Sequence, residues 1–200
     1  MSRLSGFSFG EKVKGFVGAP LNTFNNVQAE ALGSALKYFT IWAVIFAILR
    51  TVIFYTVERR VFQALWTSLV SGNAALSLYH FDPVVFGLLA VVGAFVSLFI
   101  SGSLTHLFVR AFGGGKGYGN TMKAFAYGET PLLVFGWIPF VGTLFWVWAL
   151  VLNIIGISRL HEISTGRAVG AVLLGIVALV IIGVLIGVLV VLLAVIRAVA

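Results

Sequence analysis

The chain has 200 residues, 60% of them hydrophobic and only 10% charged, with a mean hydropathy of +1.11. A soluble domain is nearer 45–50% apolar and about a quarter charged, so a soluble enzyme and a disordered chain are both excluded. A multispan membrane protein remains. A spanning helix needs about 20 mostly apolar residues, so this composition admits at most about six. The net charge of +7 comes without a dense basic run. It fits cytoplasmic loops of a membrane protein rather than a nucleic-acid partner. There is no cysteine, hence no disulfide, thiolate metal site or cysteine nucleophile.

Residues 1–34 are polar with scattered aromatics and hold no signal-peptide core, so the first span is expected to act as the membrane signal. Phe9, Val13, Phe16 and Val17 fall at helical spacing beside Glu11, Lys12 and Lys14. Phe24, Val27, Ala31, Leu32, Ala35 and Leu36 predict one face of a second helix, with Thr23 as its N-cap. Such a segment either lies in the cytoplasmic interface or packs on the chain's own loops. The N-terminal segment, residues 1–35, leads into a first span over 36–57, interrupted by Arg50. Val61, Phe62, Leu65, Trp66, Leu69 and Val70 predict a short amphipathic helix. Asp82-Pro83 reads as an N-cap followed by proline in the first turn. It opens a second span over 84–107 whose lower half carries Ser97, Ser101, Ser103, Thr105 and His106.

Residues 110–123 form a glycine-rich loop. It is not a phosphate loop, because Lys116 is followed by Gly117 rather than Ser or Thr. The segment 121–137 contains Glu129 and Pro131, yet is otherwise mostly apolar; its rise of about 25 Å barely suffices to cross. A further span covers 139–158, and the polar loop RLHEISTGR follows. His161-Glu162 does not begin a zinc-protease motif, since Thr165 stands where the second histidine belongs. No metal and no cofactor are expected. The last span, 168–196, is almost purely aliphatic, with glycine pairs at Gly166/Gly170 and Gly183/Gly187. These are read as internal packing in preference to dimerisation.

Charge chooses between four and five spans. With the N-terminus inside and 121–137 crossing, nine cations fall inside: Arg3, Lys12, Lys14, Lys37, Arg110, Lys116, Lys123, Arg159 and Arg167. Three fall outside: Arg59, Arg60 and Arg197. If 121–137 is re-entrant, the count becomes eight against four. The positive-inside rule thus predicts an all-α, five-span bundle, N-terminus cytoplasmic and C-terminus outside.

Glu129 is the most informative residue. A carboxylate near mid-bilayer faces the bundle interior or a cavity and needs a partner. The candidates are Arg50, Asn153, Ser97 and Ser101, forming either a proton- or ligand-responsive site or a structural polar clamp. Pro131 leaves a carbonyl in the preceding turn without its donor, a second polar group needing a partner. A basic cytoplasmic face is expected from Lys12, Lys14, Arg110, Lys116, Lys123 and Arg159, suited to anionic lipid.

The order of features resembles a known family. Pro20, Thr23 and Phe24 lead into Ala35 to Phe39. The glycine-rich loop follows, then Lys123 to Pro131 with Tyr127-Gly128-Glu129-Thr130-Pro131. Next come the Trp137–Gly142 turn with Pro139, and Gly156 to Ala168 with His161, Gly166 and Arg167. This is similar to the Yip-one domain family of Ypt/Rab-interacting membrane proteins, in its short prokaryotic form, over about Ala19 to Ile196. The resemblance implies five spans and a cytosolic N-terminus. Eukaryotic relatives bind prenylated Rab-type GTPases in vesicle transport, but their Asp-Leu-x-Gly-Pro-like motif is absent here, so that function does not carry over. The expectation is a non-enzymatic membrane-organising or adaptor protein of the cell membrane, or of an endomembrane in a eukaryote. Its partners would be the bilayer and other membrane or cytoplasmic proteins. The alternative is a transporter or channel for a proton or small solute, built on Glu129 and the broken helix at Pro131.

Overall fold

The computed structural model describes residues 7–62 and 82–199, and among them all regular structure is helical. Ser8 opens α1 (Phe9–Gly18): its hydroxyl accepts from the Glu11 N–H, and the Glu11 carboxylate accepts from the Ser8 N–H at 2.7 Å. This capping box satisfies two of the helix's orphan donors. The hydrogen bonds from the Ser8 backbone and hydroxyl hold the Glu11 carboxyl below its ordinary pKa. The second helix, α2 (Pro20–Val27), begins at proline rather than at Thr23. The Thr23 hydroxyl instead donates to the Ala19 carbonyl at 2.9 Å inside the helix. The apolar face expected from Phe24 to Leu36 is therefore split, because α2 stops at Val27 and α3 (Leu32–Ile53) starts afresh after a turn. Phe16, Phe24 and Val27 are fully buried, so both short helices pack on the chain's own bundle.

A π-helical turn, Phe54–Glu58, extends α3 as far as Phe62. The amphipathic helix expected over 61–70 lies mostly outside the described residues. The next described helix, α4 (Pro83–Ala111), starts as the sequence predicts: Asp82 accepts from the Val84 N–H at 2.7 Å. Two short helices follow, α5 (Tyr118–Gly128) and α6 (Thr130–Phe135). The bundle closes with α7 (Gly142–His161) and α8 (Thr165–Val199).

Among the described residues four helices are long and apolar enough to cross a membrane: Leu32–Phe62, Pro83–Ala111, Gly142–His161 and Thr165–Arg197, with mean hydropathies of 1.9, 2.6, 1.7 and 3.5. The expected span over 121–137 is instead α5 and α6, broken at Glu129, and neither alone has that length. Proline has no N–H and clashes with the preceding turn, so the helix cannot continue regularly through Pro131.

The core is hydrophobic, yet the surface is apolar as well, unlike that of a soluble protein. All residues of α5 from Thr121 to Gly128 are buried, while Val84, Leu88, Val92 and Val96 on α4 and nearly every residue of α8 beyond Val177 are exposed. Apolar side chains outside, around a core that packs Tyr127, Phe16, Phe24 and Phe39 with small residues such as Ala124 and Ala126, are what a lipid solvent permits. Helix α4 packs extensively on α8, where Gly175 meets Thr105 and Gly170 meets Phe112 just past the end of α4. Gly183 and Gly187 meet nothing, so their pairing does not serve internal packing.

Candidate functional site

The pair α5–α6 runs antiparallel along α7. Phe135 stacks on Phe145 with ring centroids 4.5 Å apart. Gly128 lies against Asn153, Ala124 against Gly156, and the Thr121 hydroxyl is 2.9 Å from His161 Nε2. At Gly128 and Gly156 the approach leaves no room for a Cβ: one would overlap the Asn153 amide, the other Phe24 and Ala124. These two glycines let α7 close over a buried, broken helix.

Glu129 sits at the break. Asn153 Nδ2 donates to its Oε1 at 3.0 Å. Both residues line a cavity of about 440 Å³ together with Ser97, Ser101 and Thr105 of α4. Of the five residues expected to form an intramembrane polar cluster, the structure brings together Glu129, Asn153, Ser97 and Ser101. Arg50 does not join them, because its guanidinium pairs with Glu58 at 2.7 Å. The intervening π turn takes in an extra residue, which carries Glu58 onto the Arg50 face.

The carbonyl released by Pro131 is that of Tyr127, and the Thr130 hydroxyl donates to it at 2.5 Å. With its only proton so used, Thr130 accepts from the Tyr38 hydroxyl at 3.2 Å. The Tyr127 hydroxyl in turn donates to the Glu30 carboxylate. That carboxylate pairs with Lys12 Nζ at 2.7 Å, and the Lys12 ammonium also lies over the Tyr127 ring, 5.2 Å from its centroid. Lys123 Nζ donates to the carbonyls of Gln28 and Glu30 at 2.8 and 3.0 Å. A continuous polar chain thus fastens α1 and the turn after α2 to the buried helix.

Lys12 and Lys123 are therefore buried, at 8% and 7% exposure, and do not belong to the basic surface expected of them. Lys14, Arg110, Lys116 and Arg159 are exposed. Lys116 pairs with Glu162 at 3.0 Å, tying the glycine-rich loop to the left-handed residue (φ 56°) that ends α7. Sequence reasoning also missed a histidine pair. His106 Nδ1 and His161 Nε2 lie 2.7 and 2.9 Å from the same Thr121 hydroxyl. His161 Nδ1 is buried without a partner. The tautomers that leave no buried N–H orphaned have His161 Nε2–H donating to Thr121, and Thr121 donating to His106. The polar residues were visible in the sequence, but their meeting from three helices had no local signal.

Of the remaining motif residues, Trp137 Nε1 donates to the Val134 carbonyl at 2.8 Å, and Pro139 and Gly142 form the turn into α7. Gly166 and Arg167 are exposed at the start of α8, where Ala168 is buried. Among the described residues no three His, Cys, Asp or Glu gather in a way that would hold a metal. The chemistry on offer is a carboxyl in an apolar cavity, a buried ion pair at the N-terminal helices, and a basic end.

A family model described as the Yip1 domain matches residues 14–196, nearly the whole chain. Neither the curated proteins nor the solved structures contain a match. The match agrees with the likeness carried by Tyr127 to Ala168 and with the apolar helices of a multi-pass membrane protein, and by it this chain belongs to the Yip1 domain family.

Proposed function

We propose that this protein is a non-enzymatic membrane-organising or adaptor protein of the cell membrane, whose basic end engages anionic lipid. The observation that carries the reading is the clustering of exposed cations at one end of the bundle. Lys37 lies near the start of α3, Arg110 at the end of α4, Lys116 before α5, Arg159 in the last turn of α7 and Arg167 at the start of α8. The Lys12 and Lys123 network packs α1 and α2 against the bundle beside them. A cation near an anionic surface contributes about 1 kcal/mol.

We place this end in the cytoplasm, with five crossings and the C-terminus outside. Support comes from the antiparallel run of α5–α6 along α7, since a segment matching a spanning helix from Thr121–His161 to Phe135–Phe145 covers the same depth. Seventeen such residues rise about 25 Å.

The test is capture of anionic vesicles by proteoliposomes of neutral lipid containing the full chain. Replacing Lys37, Arg110, Arg159 and Arg167 with Gln is expected to abolish capture, and salt to weaken it in the unaltered protein. Capture that survives the fourfold change refutes the proposal.

A further inference from the structure

The cavity beside Glu129 has a defined chemistry. Helices α4 and α7 are held apart, and the space between them is floored by Phe125 and Glu129 and walled by Val172 and Ile176 of α8. Ser97, Trp146 and Leu179 of its lining are exposed, so it opens toward the lipid-facing surface. Its volume of about 440 Å³ lies within the range of small-molecule sites. The walls are apolar apart from the hydroxyls of α4, Asn153 and the Glu129 carboxyl. Among the described residues the ion pairs are Lys12–Glu30, Arg50–Glu58 and Lys116–Glu162, and none of their cations compensates Glu129. Asn153, 5% exposed, turns its amide N–H to Glu129 and its unpartnered Oδ1 against Gly128. Phe39, Phe46, Phe125 and Trp146 supply aromatic rings to the same space.

An ionised carboxyl in such surroundings is costly unless it takes up a proton or pairs with a counter-charge, and a bound cation favours the charged form. Aromatic rings add attraction for a cation through their negative faces. A lipid acyl chain would fill the volume and leave the carboxyl unmatched. We propose that this cavity binds a lipophilic organic cation, an ammonium or phosphonium whose charge is carried by an apolar body, entering from the bilayer between α4 and α7. The site is separate from the basic end and does not depend on it.

Equilibrium binding of tetraphenylphosphonium to the full chain in zwitterionic nanodiscs tests this, with protein-free discs subtracted. Tetraphenylborate, nearly the same shape with the opposite charge, is the control. Saturable binding is expected for the phosphonium and not for the borate. Glu129→Gln should weaken it at least tenfold. Leu179→Trp, which leaves the carboxyl in place and fills the mouth, should do the same while thermal unfolding stays unchanged. Should Glu129→Gln fail to fold, the Leu179→Trp and borate results decide. Equal binding of the two ions, undiminished binding in the folded variants, or no saturable binding overturns the proposal.

Discussion

Replacing Lys12 by Met isolates the contribution of the buried network that docks α1. The Lys12 and Glu30 side chains are 11% and 19% exposed and 2.7 Å apart. Removing one member of a buried pair costs about 3–5 kcal/mol, because the survivor is left uncompensated. Here Glu30 keeps the Tyr127 hydroxyl and some solvent, which places the loss near the lower end, about 3 kcal/mol. That corresponds to a roughly hundredfold rise in the undocked population of α1 and α2. Because α5 and α7 hold each other independently, the effect is local release and not global unfolding. Hydrogen exchange of the full chain in nanodiscs reads it directly: residues 9–27 lose protection while 142–161 keep theirs. A second variant, Lys12→Met with Glu30→Gln, removes the orphaned charge and should recover more than half of the loss. Unchanged protection in Lys12→Met, or strictly additive losses in the double variant, would refute the coupling.

Gly128→Ala should destabilise the bundle by about 1–3 kcal/mol, the usual cost of overpacking, because its methyl group meets the Asn153 amide. Thermal unfolding in detergent checks this, and Gly18→Ala, where a Cβ meets nothing, serves as the control. A tag fused after Ala200 should be accessible only from outside sealed cells. Accessibility from the cytoplasm would make α5–α6 re-entrant.

How far the sequence disclosed this architecture depended on how local each signal was. Asp82-Pro83 announced the start of α4, because an N-cap and its proline are adjacent. Glu129 and Pro131 announced a break, and Asn153 was found as a partner because a lone amide in an apolar helix has few places to go. Arg50, one of several candidate partners for Glu129, pairs with Glu58 instead, since nothing in the sequence marks the π turn that brings Glu58 over it. Lys12 read as a surface cation because its partners lie 18 and 115 residues away. The start of α2 was misplaced at Thr23 because a threonine before an apolar run looks like a cap, while Pro20 three residues earlier already fixes the first turn. The cavity had no sequence signature, being a gap between helices that share few contacts.

The last helix is bound to the others only near its beginning, and beyond Val177 its side chains are almost all exposed. At 1.5 Å per residue the free part is about 30 Å long, close to the thickness of the hydrocarbon layer. A thinner bilayer favours a larger tilt of such a rod, against the hold of its packed first turns. The crossing with α4, where Gly175 meets Thr105, then serves as a fulcrum. Val172, Ile176 and Leu179, close to that fulcrum, are also a wall of the cavity. A wall so close to the fulcrum is displaced least when the rod tilts, so the gap beside Glu129 is the part of the surroundings of α8 least altered by bilayer thickness.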